Sequence, residues 1–132
     1  MALAAAIAGC ANESPEKAPL HDEDLFEVVF RYQFRRQQTA PPAYYLKVLD
    51  SDPSAAFLAR FADLPIEVKK GSEYDEEVPG YFWLERAVWD SSGKARVTTY
   101  ATNGFLAEGN TVLLEKKRGK WVVVQQLESF TE

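Results

Sequence analysis

A chain of 132 residues has the length of one domain and can bury a self-sufficient core. At 46% hydrophobic, 27% charged and 13% aromatic residues, the composition excludes an intrinsically disordered chain. The net charge is −5, but five carboxylates and one lysine precede Leu25, so the remainder lies within about one charge of neutral and has no field to draw nucleic acid.

Residues 1–9 are apolar or small and lead into Cys10, the one cysteine. Such a run, ending in small side chains, is what a secretory signal presents to its peptidase. Ile7-Ala8-Gly9-Cys10 resembles the lipobox of bacterial lipoproteins, in which the cysteine thiol is alkylated by a diacylglycerol before cleavage makes it the new N-terminus. No Lys or Arg precedes the run, and nine residues are short for a signal, so the true start is expected upstream. On this reading 1–9 is a signal-peptide remnant, and 10–22 is a lipidated cysteine with a flexible tether. The partner is then a membrane, reached through the lipid on Cys10, and the location is the bacterial envelope, facing the periplasm or the cell surface. His21, the one histidine, lies in the tether.

Residues 23–132 read as a single domain. Acidic residues at 22–24 and basic ones at 35–36 suit the two ends of a helix running from Asp24 to Gln38. Leu25, Val28, Val29 and Tyr32 share one side with Phe26, Phe30 and Phe34, a stripe wide enough to lie in the concavity of a sheet. Pro41-Pro42 ends the helical region, and Ala43–Leu49 reads as a strand. Asp52 as N-cap with Pro53 at the first helical position starts a short helix that ends near Asp63. Ile66–Lys69 is extended, and Gly71–Gly80, with Asp75-Glu76-Glu77, is an acidic loop. Tyr81–Asp90, Ala95–Ala101, Thr111–Lys117 and Lys120–Leu127 are strands rich in aromatic and β-branched residues. Turns fall at Ser91–Lys94, at Arg118-Gly119 and at Glu108-Gly109-Asn110. Helices followed by hairpin-linked strands define an α+β fold: an N-terminal helix packed in a curved antiparallel sheet, a cone-like roll, with one additional short helix.

Asp52-Pro53-Ser54, Phe57-Leu58, Arg60-Phe61, Val68-Lys69-Lys70-Gly71-Ser72 and Gly109-Asn110-Thr111, in that order, resemble a group of uncharacterised bacterial exported proteins over most of Leu25–Leu127. The closing Gly119-Lys120-Trp121-Val122-Val123 is also similar to the last strand of nuclear-transport-factor-like and cystatin-like rolls. Enzymes on the former roll commonly work through a His and an Asp in the mouth of the cone. With His21 outside the domain, a histidine base has no candidate here.

No catalytic residue, cofactor or metal site is assigned. Asp75, Glu76 and Glu77 are consecutive and point apart, which does not suit a calcium loop, and zinc lacks a His pair. Lys116, Lys117, Arg118 and Lys120 crowd one turn, which reads as a solvated tip; contact with anionic headgroups is the sharper alternative. Among the many aromatics, the candidate pocket-lining residues are Tyr32, Gln33, Trp83, Glu85 and Tyr100, Gln33 being the odd polar residue on the helix's apolar side. Glu85 would be a base if buried in the roll, whereas the plainer reading is a residue that faces outward or pairs with Arg96 on the neighbouring strand. The favoured function is a non-catalytic binding or interaction module for a small apolar ligand or an envelope protein. The alternative is a small-molecule binder or enzyme using the cavity of the roll.

Overall fold

A computed structural model describes residues 22–75, 78–102 and 106–131. Cys10, His21, the tether up to residue 21, and Glu76 and Glu77 of the acidic loop lie outside the described residues.

Helix α1 spans Glu23–Arg35. It starts where the charge pattern places a start, with Asp22 as N-cap accepting from the Leu25 amide at 3.2 Å, and Glu23 and Asp24 in the first turn. Leu25, Phe26, Val29, Phe30, Gln33 and Phe34 are buried, a stripe at the helical period. The helix stops three residues short of Gln38, because residues 35–40 are all exposed and no apolar contact holds another turn.

Strand β1, Tyr44–Val48, alternates buried and half-buried residues, so Tyr44, Leu46 and Val48 face the helix while Tyr45 and Lys47 face away. Helix α2 is only Ala55–Ala59. Its cap is Ser54, whose side chain accepts from the Phe57 amide at 3.1 Å, not Asp52. Asp52 accepts instead from the Ser72 amide at 2.9 Å, a contact 20 residues away that outcompetes its local capping role. Strand β2, Val68–Lys70, precedes a single 3₁₀ turn at Gly71–Glu73. Then come β3 (Tyr81–Trp89), β4 (Lys94–Thr102), β5 (Ala107–Lys117) and β6 (Lys120–Thr131).

The six strands form one curved open sheet in the order β2-β1-β3-β4-β5-β6. It is mixed, not antiparallel throughout: β1 runs parallel to both β2 and β3, whereas β3 to β6 form an antiparallel meander. The stretch that holds α2 acts as a crossover between β1 and β2, and a crossover returns the chain in the same direction. Glu108-Gly109-Asn110 is not a turn but part of β5, opposite Thr99, Tyr100 and Ala101. Its glycine serves packing: a Cβ on Gly109 would sit 2.2 Å from the Phe130 ring that crosses it.

Both helices cover one face of the sheet. Phe26, Phe30, Phe57, Phe61, Phe82, Leu46, Leu84, Val97, Val112 and Leu114 fill the layer between them, each at most 2% exposed. Phe34 stacks on Tyr44 with ring centres 3.8 Å apart and meets Phe61 and Phe82 edge-on. On the charged side of α1, Glu27 and Arg31 pair along the helix, and ion pairs from Arg31 to Asp63 and from Arg60 to Asp24 and Glu27 tie it to the end of α2 and the residues after it. The charged side of α1 is therefore partly covered by the segment that follows α2.

Candidate binding site

The face of the sheet away from the helices carries an unbroken row of rings. Tyr45, Tyr74, Tyr81, Trp83, Tyr100 and Phe130 follow one another at centre-to-centre distances of 5.5, 4.7, 5.1, 5.1 and 5.4 Å. The pleat produces this row. In β1 and β3 the residues between the buried Tyr44, Leu46, Phe82 and Leu84 must point outward, and these are Tyr45, Lys47, Tyr81 and Trp83. Register brings Tyr45 opposite Tyr81 and Trp83 opposite Tyr100. Tyr74 with Tyr81 and Trp83 with Tyr100 are stacked, and these contacts hold the rings in place.

Beside this row lies a cavity of about 530 Å³ whose lining includes Lys47, Leu49, Asp50, Tyr81, Trp83 and Glu85. That volume is within the range of small-molecule sites. Two local irregularities shape it. Leu49 and Asp50 both have positive φ, 49° and 72°, in a two-residue turn closed by hydrogen bonds between Val48 and Ser51. A bulge between Leu84 and Arg86 shifts the β3 register and leaves both Glu85 and Arg86 exposed. Each irregularity brings a carboxylate, Asp50 or Glu85, to the cavity. Smaller cavities of about 230 Å³ lie where α1 meets the approach to α2 and beside Gln37.

The Lys47 ammonium sits 3.0 Å from Asp50, and that hydrogen bond holds its pKa above the ordinary lysine value. Burial pushes the Tyr81 hydroxyl up; Lys47 opposes this, and Asp52 and Asp50 add to it. Ser72 holds Asp52 below the usual carboxylate range. Glu85 makes no hydrogen bond or ion pair among the described residues.

The five candidate pocket residues do not converge. Trp83 and Glu85 line the outer cavity, and Tyr100 stacks behind Trp83. Gln33 is on the other side of the sheet, 2% exposed, with no hydrogen-bond partner for its Nε2 among the described residues; the buried Thr99 hydroxyl shares that condition. Tyr32 is half-buried on the β6 side of α1, donating to Gln126 Oε1 at 3.2 Å. Glu85 is exposed, not buried in the roll, and Arg96 stands opposite Val88, three residues further along β3, so the two are not cross-strand partners. Lys47 and Leu49 fall inside the run Ala43–Leu49 and Asp50 lies between it and the helix start at Asp52, so the sequence gives no sign of a site there; the left-handed conformation of Leu49 and Asp50 reveals the turn.

The fold and this face together define an α+β protein with one helix-covered sheet face and one aromatic face. Comparison with protein-family models, curated proteins and solved structures yields no match. Among the described residues no helix is long and apolar enough to cross a membrane, and no cluster of three metal-ligating side chains occurs.

Proposed function

We propose that this chain is a membrane-anchored bacterial envelope lipoprotein, acylated at Cys10, whose residues 23–132 form a cone-like roll that binds a partner without transforming it. The anchor rests on Ile7-Ala8-Gly9-Cys10 and the polar stretch after it. The binding role rests on one observation, the ring row with its adjoining cavity on the face away from the helices. Rings already immobilised against each other lose little freedom when a ligand arrives, so more of the contact energy survives as affinity. Leu49 and Trp83 supply apolar wall, and two carboxylates face one ammonium. A small amphipathic molecule with a cationic end fits that chemistry. The space between α1 and the sheet is filled by Phe26, Phe30, Phe34 and Phe82.

The test is a titration of the ¹⁵N-labelled protein with 2-phenylethylamine, 2-phenylethanol and 3-phenylpropionate, read at the three indole N–H resonances. The amine should shift Trp83 most, and Asp50→Asn or Glu85→Gln should each weaken it about two- to fivefold, the size expected of an exposed ion pair. No shift at Trp83 with any of the three, or shifts confined to Trp89 and Trp121, would overturn the binding reading. Fatty-acid labelling of cells making the precursor, with Cys10→Ser as control, tests the anchor; an unlabelled wild type refutes it.

A further inference from the structure

Two turns lie side by side at one end of the sheet, the Lys116 amide donating to Gly93 O at 2.9 Å. Helix α1 begins at this same end. The Asp22 carboxylate accepts from the Trp89 indole at 2.9 Å and from the Trp121 indole at 3.1 Å, so the chain that arrives from Cys10 enters the fold here.

Lys116, Lys117, Arg118 and Lys120 are exposed at the tip. Lys116 lies over the Trp121 ring at 5.6 Å, and none of the four makes an ion pair among the described residues. The neighbouring carboxylates are all engaged. Asp22 holds two indoles and a helix cap, Glu23 and Asp24 meet Arg60, Asp90 caps its own turn through Ser92 and Lys94, and Glu115 pairs with Lys94. Among the described residues, then, no carboxylate pairs with these four cations.

We infer that this tip docks on anionic lipid headgroups of the membrane that holds the anchor and so orients the domain above it. The inference rests on reading Cys10 as the anchor. Eleven residues separate Cys10 from Asp22, a span of at most about 40 Å even when fully extended. Within that reach the tip is held at high effective concentration near the headgroups, so a weak contact suffices. Each basic residue near an anionic surface favours the docked state about fivefold.

The full chain, coupled through Cys10 to a maleimide lipid in bilayers carrying a gadolinium-chelate headgroup, reads the contact directly. Amide signals of 117–120 should be attenuated relative to those of Val68–Lys70 in phosphatidylglycerol-containing bilayers and not in phosphatidylcholine alone. The triple variant Lys117→Gln, Arg118→Asn, Lys120→Gln should lower the docked-to-free ratio about fivefold per cation removed, and added salt should act the same way. Equal attenuation in phosphatidylcholine, a variant indistinguishable from wild type, or attenuation centred on β2 overturns the inference. The coupling supplies an anchor whatever the cell does, so a failure of acylation shows only in the labelling experiment.

Discussion

Asp22 carries more of the fold on one side chain than its half-buried position suggests. Its carboxylate caps α1 and accepts from two indoles, one on β3 and one on β6, sequence separations of 67 and 99 residues. Asp22→Ala removes the cap and leaves both indoles without that acceptor, so unfolding free energy should fall by about 2–3 kcal/mol, read by urea titration, with the fluorescence of Trp89 and Trp121 shifting. Gln33 presents the opposite case. Its buried Nε2 finds no partner among the described residues, so desolvation goes uncompensated. Gln33→Met keeps the volume and removes the polar group, and should stabilise the fold by about 1 kcal/mol in the same titration. A loss of stability would mean that the amide makes a hydrogen bond, for instance through an ordered water.

Among the elements, the turn after β1 and the bulge in β3 link structure to the proposed site. Leu49 and Asp50 occupy the left-handed region, which asparagine and glycine tolerate far better than leucine. Leu49 also packs against the core, so in Leu49→Asn the relief at the turn should offset the lost packing and leave stability within about 1 kcal/mol of wild type in thermal or urea unfolding, while 2-phenylethylamine binding weakens because the cavity loses apolar wall. Stability and binding rising together would separate the turn from the site. The strands at the two edges are guarded differently. β2 is three residues long and ends in two lysines, whereas β6 is twelve residues long and is broken by two register shifts against β5, opposite Thr111-Val112 and Leu113-Leu114. Short, charged or bulged edges make poor templates for another chain's strand, which favours the sheet face over the sheet edge as the binding surface.

For the molecule as a whole, the perturbed groups set a pH window. Asp52, Asp63 and Asp90 are held below the usual carboxylate range, chiefly by hydrogen bonds from Ser72, Arg31 and Ser92 respectively. Their contribution is complete above the ordinary carboxylate pKa, about 3.9, and is lost as pH falls through the lower folded values. Tyr44 and Tyr81 are raised by burial and Lys47 by Asp50, so their contribution is complete below their ordinary values, about 10, and is lost as pH rises past them. Urea midpoints should be flat from about pH 5 to 9 and fall on both sides. Substituting Asn at 52, 63 and 90 should flatten the acid limb; an unchanged limb would place the acid sensitivity elsewhere.

The sequence by itself determined the buried stripe of α1, the strand runs and the α+β class. These follow from the 3.6-residue period, the β-branched and aromatic content and turn residues such as Arg118-Gly119, all of which act within a few neighbours along the chain. It also singled out Trp83 and Glu85, but not the face they occupy. The run Tyr81-Phe82-Trp83-Leu84 is apolar on both sides of the pleat, so alternation cannot say which side meets the helix. Tertiary structure alone decided the parallel pairing of β1, the transfer of the α2 cap from Asp52 to Ser54, the use of Gly109 to seat Phe130, and the Leu49-Asp50 turn that completes the cavity. Each depends on a partner distant along the chain or on a backbone conformation that this partner enforces, and neither is written in local periodicity.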